Sequence, residues 1–361
     1  MINLKNVGLT ALAGSLVAAS ATAGELSVTG SAQVSYTTGK SGDNSANSIG
    51  TDKDVKFSGS GELDNGWTFA IHTLTKDDIG TVSSTATSIT MGSMGTIGFG
   101  TGGGTNINGA YDEPIPTAYE EISDGGQGQS TPNHVGNWAD DSAIIYSLPA
   151  MEMMGATVNM GVEYSLNAGV ATANDGGSAA RSDTYGNGYG VGVTVAYDAL
   201  TLGVYGAERD NKNPTTVADV SDEFNGSWFA KYSFGPVTIG YQQFYVDAGL
   251  TEQTNDNTTT AAKTVGTSGG IFDGDAMSIA FNVNDNLSIS YGENKETFDS
   301  RDHNKSGTST ADVEQTTDAL QVAYSMGGMS IKAYSTETKN PNFVDGSRSL
   351  KSNEITLGLA F

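Results

Sequence analysis

The segment YGVGVTVAYDALTLGVYG, residues 189–206, decides the fold class. From Tyr189 to Tyr197 the valines alternate with glycine, threonine and alanine. The chain then turns near Asp198 and returns with Leu202 and Val204 on the same face. A strict period of two marks strands with one apolar and one polar face, and the short polar break between them marks a hairpin.

The same period runs outward from this hairpin almost to both ends. Leu26, Val28, Gly30, Ala32, Val34 and Tyr36 share one face against Ser27, Thr29, Ser31, Gln33 and Ser35. Val55, Phe57 and Leu63 precede Asp64-Asn65-Gly66, a tight-turn sequence, and Trp67, Phe69 and Ile71 follow it. Counted to the terminal Ile355, Leu357, Leu359 and Phe361, the pattern predicts sixteen strands, an even number that brings both termini to one side of a closed barrel. The connections alternate in length. Turns are tight near Asn65, Ser93, Met151, Ala199, Gly235, Asp285 and Gly328. Those between are long and polar: 37–53, 75–85, 101–141, 167–185, 208–223, 247–274, 293–315 and 336–352. Short turns on one side and long loops on the other form the outer-membrane arrangement, with the turns periplasmic.

Composition agrees. No run approaches the roughly 18 apolar residues of a spanning helix. In hydrocarbon the backbone must pair completely, so strands must close into a barrel. The apolar face then meets lipid and the polar face meets water, which is how a chain only 37% hydrophobic can span a membrane. Lys5, the apolar stretch Val7 to Ala19 and Ala21-Thr22-Ala23 read as a signal peptide, 1–23, with the barrel over 24–361. The net charge is −24, or −25 once Lys5 is removed, which argues against nucleic acid as a partner. With no cysteine, disulfides and thiolate metal sites are excluded.

The last strand, Asn353 to Phe361, resembles the C-terminal assembly signal of outer-membrane proteins, carried by Phe361, Leu359 and Leu357. Met94 to Gly100 resembles the strand before the constriction loop of the Gram-negative general porins, and Asp141 to Pro149 the strand after it. The likeness is closest to the porins of α-proteobacteria. It implies a 16-stranded antiparallel transmembrane β-barrel with short periplasmic turns, long outer loops and an inward-folded third loop. It further implies a homotrimer in the outer membrane that passes ions and small hydrophilic solutes passively, without enzymatic activity.

The constriction loop so implied, 101–140, carries Asp112, Glu113, Glu120, Glu121 and Asp124 and no lysine or arginine. Carboxylates at a narrow, poorly screened point attract cations, although such acids also serve simply to solvate a loop. Strand parity puts Lys56, Lys231, Lys332, Glu62 and Glu163 on the inner wall, with Ile145 where family members often have arginine. The expectation is a cation-preferring general pore. The alternative is a channel selective for a defined small nutrient, with Tyr205, Phe244 and Tyr334 forming part of an inner aromatic track. Bound Ca²⁺ at Asp112 with Glu113, or at Glu120 with Glu121, is the one metal site the sequence suggests; no other cofactor is expected. Gly98 to Gly103 matches G-x-G-x-x-G, but no amphipathic helix follows it, and His72, His134 and His303 are too scattered for a catalytic set. His134 and Trp138 are candidates to line the pore mouth.

Overall fold

A computed structural model describes residues 24–41, 44–77, 82–101, 107–124, 143–166, 168, 185–211, 222–247, 271–299 and 312–361. The segment 1–23, His134, Trp138, His303 and the remaining parts of the third loop lie outside the described residues.

The strands are β1 (Glu25–Ser41), β2 (Asn44–Glu62), β3 (Thr68–Lys76), β4 (Val82–Thr90) and β5 (Thr96–Thr101). Next comes β6, built from Ala143–Ser147 and Met151–Met153, which both pair with β7 (Ala156–Ser165). Then follow β8 (Tyr185–Tyr197), β9 (Leu200–Asn211), β10 (Glu223–Phe234), β11 (Val237–Asp247) and β12 (Ile271–Asn284). The last four are β13 (Leu287–Asp299), β14 (Val313–Met326), β15 (Met329–Lys339) and β16 (Leu350–Ala360). Every neighbouring pair is antiparallel, and β1 pairs with both β2 and β16, so sixteen strands close into a barrel with no free edge.

Closure is fixed by the terminal residue. Gly30 donates its N–H to the Phe361 carbonyl at 2.9 Å, and Phe361 donates back to the Gly30 carbonyl at 3.0 Å. The Phe361 ring lies over Gly30, where a Cβ would stand 2.4 Å from it. Glycine at this position therefore lets the ring cover the joint. Leu357, Leu359 and Phe361 all point outward.

Leu202, Val204, Trp228, Tyr232, Phe234 and Ile239 are exposed on the outer face, while Tyr205, Ala207, Ser227 and Phe229 between them are buried. Hydrophobic residues face out because the surrounding solvent is lipid. A strand tilted by about 45° needs about 9–11 residues to cross it. The described strands from β7 to β16 have 10 to 14, whereas β3 and β4 have 9.

Two expectations are corrected. The segment 37–53 is not a long loop, because β1 and β2 run on to Ser41 and from Asn44. The turn expected near Met151 lies at Met154 and Gly155, whose φ values of 52° and 84° suit the tight hairpin turn. Pro149 only interrupts β6: it lacks an N–H, so it breaks the ladder without turning the strand.

Candidate functional site

Between β5 and β6 the chain enters the barrel, and residues 107–124 run along its inner wall from β7 to β16. Ile107 donates its N–H to Glu163 Oε2 at 3.1 Å, and the Tyr205 hydroxyl donates to Glu163 Oε1. Tyr111 stacks on Tyr205 with ring centroids 5.2 Å apart and sits beside Phe229. Its carbonyl accepts from Ser227 Oγ at 3.0 Å and Gln242 Nε2 at 2.7 Å. Farther on, Ala118 N–H donates to Ser290 Oγ and Tyr119 N–H to Gln321 Oε1, each at 2.8 Å. Gln321 Nε2 returns a bond to the Glu120 carbonyl at 2.7 Å. The Tyr119 hydroxyl donates to Glu354 Oε1 at 2.9 Å and lies 3.0 Å from Thr356 Oγ1.

The wall is shaped to receive the loop. A Cβ at Gly161 would lie 2.8 Å from Ile107, and one at Gly192 would lie 2.4 Å from the Tyr111 ring. One at Gly240 would be 2.3 Å from Pro116 Cδ, and one at Gly292 2.2 Å from Ile122 Cδ1. These inner-face glycines leave the groove, and the loop fills it with two buried apolar clusters. Tyr111, Tyr205, Ala207 and Phe229 form one; Ile115, Ile122, Ala276 and Ala319 form the other. Glu113 closes the loop on itself: its carboxylate accepts from Ile122 N–H, from Ser123 N–H at 3.3 Å and from Ser123 Oγ at 2.7 Å.

The loop's charge is unevenly exposed. Asp112, Glu120 and Glu121 are partly exposed and Asp124 is exposed, whereas Glu113 is 5% exposed. Burial pushes Glu113 up to about 7, against the lowering effect of its hydrogen bonds. Burial, joined by the charges of Asp112, Glu113, Asp124 and Glu120, pushes Glu121 up to about 9. Glu120 is raised too, chiefly by burial, with Lys332 opposing. Tyr111 is pushed up to about 12 by burial and by Glu163.

A sequence profile of the Gram-negative porins matches residues 8–270. The chain belongs to the Gram-negative porin family. It is an outer-membrane channel protein and not an enzyme. A porin solved at 1.8 Å superposes with a TM-score of 0.60 at 16% identity, over 93% of this porin and 100% of that chain. An anion-selective porin from Comamonas acidovorans gives 0.62 at 11%, over 94% and 100%. OmpT of Vibrio cholerae, lacking its loop L8, gives 0.56 at 15%, over 94% and 100%. No curated protein sequence matches this porin.

The expected site residues divide into three groups in this porin. Asp112, Glu120 and Glu121 lie on the loop partly exposed, and Asp124 lies there exposed. Glu113 and Glu163 were expected to line the pore but are instead buried, at 5% and 3% exposure, where they tie the loop to itself and to the wall. Their carboxylates are drawn in because backbone N–H groups at the loop's bends need acceptors. The lysines are dispersed. Lys332 has its ammonium 4.9 Å from the Tyr119 ring centre, and Lys231 is 5.2 Å from that of Phe229. Lys56 and Glu62 are on the inner face of β2, with Lys56 close to His72 of β3. Ile145 is buried on β6. Tyr205 and Phe244, expected in an aromatic track, are 3% and 4% exposed and so are closed to a passing solute, with Tyr205 serving to hold Glu163.

Sequence reasoning missed Tyr119, Gln321, Glu354 and the glycine groove. Alternate glycines at 188, 190 and 192 show in the sequence as a small-residue inner face, but nothing local says what they receive. Among the described residues no three His, Asp or Glu side chains gather as a metal would require, and Glu113 is committed to its own loop.

Proposed function

We propose that this porin is a general diffusion channel whose third loop, 101–140, narrows the passage and favours cations. One observation carries the reading. A loop bearing Asp112, Glu120, Glu121 and Asp124, partly or fully exposed, lies inside a closed barrel, with the Lys332 ammonium over its Tyr119 ring. The barrel fold does not dictate the sign of selectivity, since a similar barrel from Comamonas acidovorans is an anion-selective porin. The sign must come from the charges where the passage is narrow.

Homotrimer formation is part of the proposal. The outward face of β2 to β4 sets Gly59, Thr73, Thr85 and Thr87 between Phe57 and Ile71, where β8 to β11 present bulky apolar groups more densely. The small and hydroxylated positions among them suit close contact with protein, and a Vibrio cholerae relative is described in a trimer form. We further propose that residues 1–23 are an export signal cleaved after Ala23. The likeness of Met94–Gly100 and Asp141–Pro149 to α-proteobacterial porins supports kinship with that group.

The test is the reversal potential of the refolded protein in a planar bilayer across a KCl gradient. A cation-selective potential that falls when Asp112, Glu120, Glu121 and Asp124 are replaced by their amides is the expected result. Conductance steps should come in threes. Anion selectivity of the unaltered protein refutes the role given to the loop; absence of any conductance from folded protein refutes the open channel.

A further inference from the structure

We propose that Tyr119, Tyr334, Lys332 and Glu120 form a weak binding subsite for neutral sugars at the tip of the inward-folded loop. The inference rests on the channel reading above and deepens it by naming a solute class.

Among the described residues, few aromatic rings inside the barrel are open to a passing solute. Inside the barrel, Tyr205, Phe229, Phe244 and Phe272 are buried. The face of Tyr185 is covered by the Arg209 guanidinium, 3.4 Å from its ring centre. Tyr119 and Tyr334 remain partly exposed, one on the loop and one on β15, with ring centroids 5.9 Å apart and planes at 32°. These two rings form a platform and not a slot, because that separation admits no third ring between them.

The platform is held in place beforehand. Glu354 accepts from the Tyr119 hydroxyl at 2.9 Å, from Thr356 Oγ1 at 3.0 Å and from Thr37 Oγ1 at 2.8 Å, so both its oxygens are held and the ring is oriented by one of them. A ring fixed in advance loses little freedom when a solute lies on it. The Lys332 ammonium, a donor-only group, stands 4.9 Å from the centre of the Tyr119 ring, farther off than Arg209 on Tyr185, and the acceptor-only Glu120 carboxylate is close enough to attract it.

A pyranose complements all three features. Its C–H face covers the phenol rings, one hydroxyl accepts from Lys332 and another donates to Glu120. It adds no charge that would need desolvation. An anion would be repelled by the remaining loop carboxylates, and a simple cation by the Lys332 ammonium that already stands over the Tyr119 ring.

The experiment titrates glucose against the refolded full-length protein in planar bilayers, reading ion current normalised to each variant's sugar-free conductance. A polyethylene glycol of similar size serves as the control for viscosity. The expected result is a saturable loss of current with glucose and none with the polymer beyond the fall in bulk conductivity. Tyr334→Ala should raise the half-blocking concentration about three- to tenfold, as for loss of one aromatic contact. Tyr334→Phe should restore it. Current falling only with bulk conductivity overturns the subsite while leaving the channel intact. So does saturable block by a zwitterionic amino acid with none by glucose, or block that survives Tyr334→Ala unchanged. Absence of sugar-free conductance instead marks failure of the channel reading itself, and the subsite falls with it.

Discussion

Replacing Gly240 by alanine should push the third loop into the channel. Gly240 is on the inner face of β11, paired with Lys231 on one side and Ser278 on the other, so the wall cannot yield. A Cβ there would lie 2.3 Å from Pro116 Cδ and 3.1 Å from both Ile115 Cβ and Cγ2. Carbon atoms settle at about 3.5–4.0 Å, so Pro116 must retreat by at least about 1.2 Å. Its ring is rigid, and the backbone of residues 115–117 must move with it. The open side of the loop faces the passage, so the retreat narrows it. Overpacking of this kind costs about 1–3 kcal/mol. The adjacent bond from Ala118 N–H to Ser290 Oγ, 2.8 Å long, is strained next. The assay is paired: single-channel conductance, and the temperature at which the folded barrel is lost in detergent. Both should fall. Gly206→Ala is the control, since a Cβ there meets only Phe224 ring atoms at 3.8 and 3.9 Å. It should change stability by less than about 0.5 kcal/mol and leave conductance alone. Wild-type conductance and stability in Gly240→Ala would refute the seating of the loop in the glycine groove.

Glu163→Gln keeps the side chain's size but leaves one acceptor oxygen for two donors, Ile107 N–H and the Tyr205 hydroxyl. It should destabilise by about 1–3 kcal/mol, and combining it with Tyr205→Phe should cost less than the sum of the two, measured by thermal unfolding. Cation preference should grow with pH. Carboxyls with raised values stay protonated below them, so Glu113 gains charge as pH rises through about 7 and Glu121 through about 9. Stability follows the opposite sign: both are raised above their unfolded values, so their contribution declines from the ordinary carboxylate range up to those values. Reversal potentials recorded from below 7 to above 9 check the first trend, and a flat profile would sink it. Phe361→Ala uncovers Gly30 at the closing joint and should lower stability by up to about 1 kcal/mol, the scale of one cross-strand pair. The yield of compact refolded protein measures it.

The strands were legible because lipid imposes a solvent rule on every second residue. Tyr189 to Tyr197 could be read from the sequence alone, as could the hairpin of β12 and β13 around Asn284-Asp285-Asn286. Where β1 and β2 extend past Tyr36 and below Val55, both faces meet water, so the period fades while the backbone ladder continues. That is why 37–53 reads as loop. The loop's acidity was legible, but its division was not. Glu113 and Asp124 look alike in sequence; only the turn that brings Ile122 and Ser123 back to Glu113 buries one and leaves the other open. The aromatic track failed for a related reason. Parity says that Tyr205 and Phe244 point inward, but not that loop and wall packing buries them there.

On the proposed cation preference, the depth at which the loop is seated gives its few carboxylates more weight than the many acids elsewhere. Ser290, Gln321, Tyr334, Glu354 and Thr37 form one ladder row across β13, β14, β15, β16 and β1, and Ala118 and Tyr119 bond along it. On the outer face, a higher row runs through Glu293, Asp318, Glu337, Lys351 and Lys40. Lys295 pairs with Glu293 at 2.9 Å, Lys339 with Asp318 at 3.6 Å and Lys351 with Glu337 at 2.9 Å. Such charges cannot face hydrocarbon, so this row marks the water line. Gln321 is three residues below Asp318, about 10 Å along the strand. Ala118 and Tyr119 of the loop are therefore level with the apolar belt that begins at Tyr291 and Leu320. Acids above the water line are screened within a Debye length of about 8–10 Å. Under the proposed constriction, those on the loop would act through a narrow aqueous passage walled by protein, where fields are focused and screened less. Of a net charge of −24, the carboxylates at this depth are the ones positioned to decide which ions pass.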